Sequence, residues 1–179
     1  MATITSRGES VTTSGELPAV GTTAPVFSLR KADLSPVSLG DYAGIRLVLN
    51  IFPSIDTPTC AKSVRQFNER AGSMPNTRVL CVSADLPFAL SRFCGAEGIE
   101  NVETASVYRS PDFGQDYGVF MNEGRLEGLL ARAVVVIDEA GTVIYRELVP
   151  EIAQEPDYAA VVEALRCCSG RPLPLQQRP

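Results

Sequence analysis

The chain has 179 residues, 45% of them apolar and 21% charged, which suits one domain (residues 1–179) with a sizeable core. A net charge of −5 argues against a nucleic-acid partner, and the absence of histidine excludes Ser-His and Cys-His catalytic pairs and removes the commonest metal ligand. The five cysteines, Cys60, Cys81, Cys94, Cys167 and Cys168, are odd in number and lack Cys-x-x-Cys spacing, so structural zinc is not expected.

The N-terminus has no basic start followed by an apolar stretch, and nothing approaches a span of about 20 apolar residues, so neither a secretory signal nor a membrane segment is expected. A cytoplasmic, reducing location follows as an expectation, with disulfides that are catalytic or transient rather than structural. Residues 1–16 alternate small β-branched and polar types around Arg7-Gly8-Glu9 and predict a hairpin ahead of the core. A Pro/Gly-punctuated loop over 17–25 leads to weak strands at 26–29 and 36–39, and Gly40 and Gly44 bracket a turn.

Residues 47–52, Leu-Val-Leu-Asn-Ile-Phe, form a nearly continuous apolar run that predicts a strand buried on both faces, ended by Pro53. Beyond it Ala61, Val64, Phe67 and Ala71 recur at spacings of three and four, the buried face of a helix that ends at Gly72. Cys60 therefore stands at a strand-to-helix junction. Pro58 suits the first helical position and pushes Thr57 into the extended region, which makes Thr57 the predicted N-cap and Cys60 the third residue of the helix. Unpaired amides and the positive end of the helix dipole there favour an anion, and so a thiolate. Thr57 and Cys60, three apart, share a face, so the hydroxyl can reach the sulfur or a substrate oxygen.

A second buried strand is predicted over 77–85, with Cys81 in its apolar run as a core residue. Pro87 opens a short helix to Cys94, which Gly95 and Gly98 end or loosen. A strand at 102–107, a helical turn at 111–117, a buried strand at 133–137, a tight turn at 138–141, an antiparallel partner at 142–148 and a helix at 156–166 complete the order. From Cys167 the Pro/Gln-rich tail (167–179) is expected to be loosely ordered. This order predicts an α/β, thioredoxin-like fold: a central mixed sheet flanked by helices, with an N-terminal β-hairpin. The critical turn carries Thr57-x-x-Cys60 instead of Cys-x-x-Cys, and Ala131-Arg132 stands where that fold has a proline, so simple disulfide exchange is disfavoured.

Pro53, Thr57 and Cys60 match the Pro-x-x-x-Thr-x-x-Cys signature of the peroxiredoxins. The longer blocks, Asn50-Ile51-Phe52-Pro53-Ser54-Ile55-Asp56-Thr57, Ser83-Ala84-Asp85-Leu86-Pro87-Phe88 with Arg92-Phe93-Cys94-Gly95, and Leu129-Leu130-Ala131-Arg132-Ala133, resemble the bacterial thiol peroxidase branch, an atypical two-cysteine group. The resemblance implies that Cys60 is the peroxidatic cysteine and Cys94 the resolving one, joined in a Cys60–Cys94 intramolecular disulfide that thioredoxin reduces. It further implies that Pro53 shields the site, that Thr57 positions sulfur and peroxide, and that Arg132 stabilises the thiolate. Arg46, Arg65 and Arg109 are other candidates for that cation. The resemblance also implies hydrogen peroxide and organic hydroperoxides as substrates, a homodimer, and no cofactor or metal. Thr59 departs from the aliphatic residue common in the family, and the Cys167-Cys168 pair extends past its last helix.

Physical chemistry supports this division of roles independently. A sulfenic acid condenses readily with a second thiol, which protects it from over-oxidation, and bridging requires Cα atoms within about 7 Å, which a short helix that opens easily permits. Two other readings stand beside this one: a peroxide-sensing switch with little turnover, and a binding module with inert thiols.

Overall fold

The computed structural model describes residues 1–167; residues 168–179, with Cys168 and the rest of the expected tail, lie outside the described residues. β1 (Thr3–Ser6) and β2 (Glu9–Thr12) form the N-terminal hairpin. It turns at Arg7 (φ 55°) and Gly8 (φ 83°), the consecutive left-handed pair that a tight two-residue hairpin needs. There follow β3 (Ser28–Arg30), β4 (Pro36–Ser38), a 3-10 turn over Leu39–Tyr42, β5 (Arg46–Ile51), α1 (Pro58–Ala71), β6 (Thr77–Ser83) and α2 (Pro87–Glu97). β7 (Glu103–Ser106), α3 (Asp112–Asp116), β8 (Ala133–Ile137), β9 (Val143–Leu148) and α4 (Tyr158–Cys167) complete the described chain.

Seven strands form one sheet in the order β4-β3-β7-β6-β5-β8-β9. β5, β6 and β7 run parallel, while β8 lies antiparallel on the other side of β5. The chain steps the same way from β5 to β6 to β7, so right-handed crossovers place α1 and α2 on one face. Strand alternation then divides the core. Val48, Cys81, Val134 and Val136 meet Val64, Phe67, Leu90, Phe93 and Val161 of α1, α2 and α4. Leu47, Leu49, Leu80, Val82 and Val135 meet Phe113 and Tyr117, in and beside α3, with Ile4 and Val11 of the hairpin. The sheet is the expected mixed, thioredoxin-like one, but its coverage is uneven, with the three long helices on one face.

The segment after α3 is pinned at Gly118 (φ 66°), where an added Cβ would lie 2.3 Å from the Glu16 carbonyl oxygen. Two expectations are corrected. α2 does not stop at Gly95 but continues to Glu97, and Gly98 (φ 65°) ends it by donating its N–H to the Cys94 carbonyl. A glycine within a helix costs only about 1 kcal/mol, whereas the left-handed step that stops a helix needs a residue free to adopt positive φ, and that residue is Gly98. β3 starts two residues later than its apolar pattern suggested, leaving Val26 exposed. Among the described residues no helix is long and apolar enough to cross a membrane.

Candidate active site

β5 is the point where the sheet changes direction, with β6 following it on one side and β8 arriving on the other, and ligands bind outside the carboxyl ends of strands at such points. Because β8 runs antiparallel with Ile51 opposite Ala133, the residue before β8 lies beside the end of β5. That residue is Arg132. The β5–α1 connection carries Pro53 and Thr57, and the register of the sheet brings both to the same edge.

Thr57 has the extended backbone of an N-cap (φ −107°, ψ 144°) and Pro58 opens α1, so Cys60 is the third helical residue and is fully buried. The Thr57 hydroxyl, however, does not cap the helix; it donates to the Ser54 carbonyl at 2.9 Å. This corrects the simple N-cap expectation. It leaves the first-turn amides without a side-chain acceptor, and it leaves the hydroxyl oxygen able to accept from a ligand.

Arg132 is 2% exposed, and its Nη2 lies 3.3 Å from the Cys60 Sγ. Its Nε donates to the Ile152 carbonyl at 3.0 Å, which fixes the plane of the fork, while Nη1 is buried with no partner among the described residues. A buried donor without a partner costs free energy, so Nη1 is placed for an acceptor that arrives from outside. A cation in contact with sulfur at a helix N-terminus is the arrangement that stabilises a thiolate. The site opens through a pocket of about 280 Å³ lined by Pro53, Thr57, Thr59, Arg132, Ile152 and others.

The loop over residues 53–57 is held by one carboxylate that sequence reading did not single out. Asp85 accepts from the Ser54 hydroxyl at 2.7 Å, the Ile55 amide at 2.7 Å and the Ser83 hydroxyl at 2.6 Å. An exposed ion pair, Arg92 to Asp56 at 3.2 Å, adds a second tie from α2 to the same loop. The signal for Asp85 was its place at the carboxyl end of a buried strand beside the switch point; the Ile152 carbonyl, a backbone group, had none.

The rival cations lie elsewhere. Arg46 donates to the Leu165 and Pro75 carbonyls, Arg65 pairs with Glu97, and Arg109 stacks on Tyr108. Cys94 is not in the pocket. It is half-buried on α2, where burial pushes its thiol pKa up and a hydrogen bond with Thr104 of β7 partly offsets this. Thr104 of β7 and Arg132, just before β8, stand three strand positions apart, about 14 Å at about 4.8 Å per strand, so Cys94 lies away from Cys60 in the closed fold. Cys81 is buried, and burial pushes its thiol up to about 12, in keeping with its assignment to the core. Cys60, Cys81 and Cys94 are free thiols.

The family model described as Redoxin matches residues 19–162. A protein named thiol peroxidase from Mycobacterium tuberculosis is 59% identical over 165 residues, covering 92% of this chain and 99% of its own. One of the same name from Corynebacterium glutamicum is 56% identical over 159 residues, covering 89% and 96%. A crystal structure of a peroxiredoxin-like protein from Aquifex aeolicus superposes with a TM-score of 0.87 at 41% identity over 93% of this chain and 96% of that one. The family model spans most of the chain and these relatives are matched nearly end to end, so the chain belongs to the redoxin family, among its bacterial thiol peroxidases.

Proposed function

We propose that this thiol-dependent peroxidase reduces hydroperoxides through Cys60, with Cys94 as the resolving thiol. The observation that carries the assignment is the Arg132 guanidinium 3.3 Å from the Cys60 sulfur, with its second nitrogen buried and unpartnered among the described residues. The Cys60 thiolate attacks one peroxide oxygen and the O–O bond breaks. Sulfur keeps that oxygen as a sulfenic acid, and the departing oxygen takes a proton from solvent to leave as water or alcohol. Arg132 Nη1 donates to the peroxide as charge moves onto the leaving oxygen, the Thr57 hydroxyl orients it, and Pro53 limits water at the sulfur.

The Cys94 sulfur then attacks the Cys60 sulfenic sulfur and hydroxide leaves as water, forming the Cys60–Cys94 disulfide. Disulfide geometry requires Cα atoms within about 7 Å, so the first turn of α1 and part of α2 must open before this step. A dithiol protein of the thioredoxin type supplies two electrons and two protons to restore both thiols. A homodimer that buries the exposed Leu86 and Phe88 beside the site is part of this reading.

The test is peroxide consumption by wild type, Cys60→Ser and Cys94→Ser in a reconstituted thioredoxin, thioredoxin reductase and NADPH system, with mass spectrometry of each product. Cys60→Ser is expected to be inactive, and Cys94→Ser to make one turnover and stop at a Cys60 sulfenic acid. Normal cycling by Cys94→Ser overturns the resolving assignment, and a wild type that oxidises once but never cycles favours a sensor.

A further inference from the structure

The pocket above Cys60 has a charge pattern opposite to that of the whole chain, whose net charge is −5. Arg7 from the hairpin turn and Arg125 from the loop before β8 line it together with Arg132, and no carboxylate lines it. Neither the Arg7 nor the Arg125 side chain has a hydrogen bond or ion pair among the described residues. The nearby acids are already engaged. Glu151 accepts from the Thr5 hydroxyl and from the Arg7, Gly8 and Ala153 amides, contacts that hold its carboxyl down to about 2. Glu155 is paired with Lys62 at 2.5 Å and accepts from the Tyr158 hydroxyl. Between the cations the walls are apolar, supplied by Pro53, Leu126 and Ile152.

We propose that Arg7 and Arg125 are specificity residues that read a carboxylate, and that the pocket selects organic hydroperoxides carrying an anionic group on an apolar chain. The inference rests on the peroxidase reading above and adds to it a charge preference. Arg132 is committed to the sulfur and to the Ile152 carbonyl, so it receives the peroxide, while Arg7 and Arg125 remain for the other end of the molecule. A volume of about 280 Å³ corresponds to a sphere about 8 Å across, which sets the carboxylate a few methylenes from the peroxide and leaves the rest of the chain to run along the apolar rim. The arginines also concentrate anions at the mouth of the site against the repulsion of the acidic surface. The chemistry is unchanged: the oxygen retained by sulfur and the alcohol released are those already described.

The experiment uses the full reduced chain and a matched pair of probes, 5-hydroperoxyeicosatetraenoic acid and its methyl ester, both below their micelle-forming concentrations. Rapid mixing, acid quench, thiol alkylation and intact mass give the rate of Cys60 oxidation by each. The readout is the acid-to-ester ratio within each variant, so a general loss of activity cancels. Wild type is expected to prefer the acid by about tenfold, the size two partly exposed guanidinium–carboxylate contacts supply. The ratio is expected to fall toward one in Arg7→Gln/Arg125→Gln, to be largely retained in Arg125→Lys, and to shrink in wild type at high salt. A wild-type ratio near one, or a ratio the double variant keeps, overturns the proposal. In either case wild type still oxidises with the ester, whereas failure to react with either probe or with hydrogen peroxide sinks the peroxidase reading itself.

Discussion

Replacing Arg132 with glutamine removes the charge and both terminal nitrogens of the fork while keeping a polar side chain of shorter reach. The contact at 3.3 Å to the Cys60 sulfur goes, and so does the Nη1 donor that has no other partner. Loss of one donor aimed at developing charge typically costs about 10²–10³ in rate, so Cys60 oxidation by hydrogen peroxide is expected to slow by about that factor. Stability changes less. The Ile152 carbonyl loses its Nε partner, a cost of about 1–3 kcal/mol, but the variant also no longer desolvates a guanidinium, which offsets part of it. The assay is rapid mixing of the reduced chain with peroxide, quenched by alkylation and read by mass, beside a thermal melt. Arg132→Lys restores charge without the fork and is expected to recover only part of the rate. Arg46→Gln is the control, since Arg46 holds the Leu165 and Pro75 carbonyls and Glu139 rather than the sulfur; it is expected to lower Tm and spare the chemistry. An Arg132→Gln rate within threefold of wild type refutes the reasoning.

Asp85→Ala removes the acceptor of all three contacts, whereas Asn keeps an oxygen for the Ile55 amide and the Ser83 hydroxyl and lets the Ser54 hydroxyl accept instead. In Asp85→Ala the consequence falls on the loop. The loop over 53–57 is then released from the end of β6, so after one oxidation the disulfide is expected to form several-fold faster and sulfinic acid to accumulate less at a given peroxide dose; an unchanged ratio of the two products by mass spectrometry counts against the clamp. The pH dependence of folding follows from burial, which raises Cys81 to about 12 and raises Cys94, Tyr42, Tyr117, Tyr145 and Tyr158 as well. Above about pH 9 the unfolded chain loses protons that the folded chain keeps, so it binds fewer protons and stability falls as pH rises. Tm is expected to be level near pH 7–8 and to drop by pH 10.5, with phenolate absorbance appearing together with unfolding; a level Tm across that range contradicts it.

Residues 47–52 and 133–137 were readable as buried strands because a strand covered on both faces is apolar at every position, and Cys60 was readable as a helix N3 residue because Pro58 marks the helix start. The end of α2 was not readable to the residue. Gly95 and Gly98 are the same residue type three positions apart, and only the left-handed backbone at Gly98 tells the stop from the tolerated glycine. The choice among Arg132, Arg46, Arg65 and Arg109 was not decidable from composition either. It depends on register: β8 pairs antiparallel to β5 with Ala133 opposite Ile51, and that alone sets Arg132 over the sulfur. Arg7 and Arg125 lie on two loops more than a hundred positions apart, so no local pattern could join them.

The separation of the two thiols accounts for what the closed geometry leaves undone. With the Cys60 sulfur against Arg132 and the Cys94 thiol against Thr104, the closed geometry does not suit the Cys60–Cys94 bond that the proposed mechanism requires next. Burial raises the Cys94 thiol while α2 is packed, so its nucleophile is suppressed until the helix loosens and its sulfur regains water. The helix is suited to that. It opens without a side-chain cap, carries a glycine beside Cys94, and is anchored mainly by Leu90 and Phe93, with Phe88 left exposed. On the proposed mechanism, opening delivers Cys94 and activates it in one motion. On the same proposal, Cys60 in the closed state meets peroxide without a competing thiol beside it, and the Asp85 clamp is expected to set how long the sulfenic acid waits.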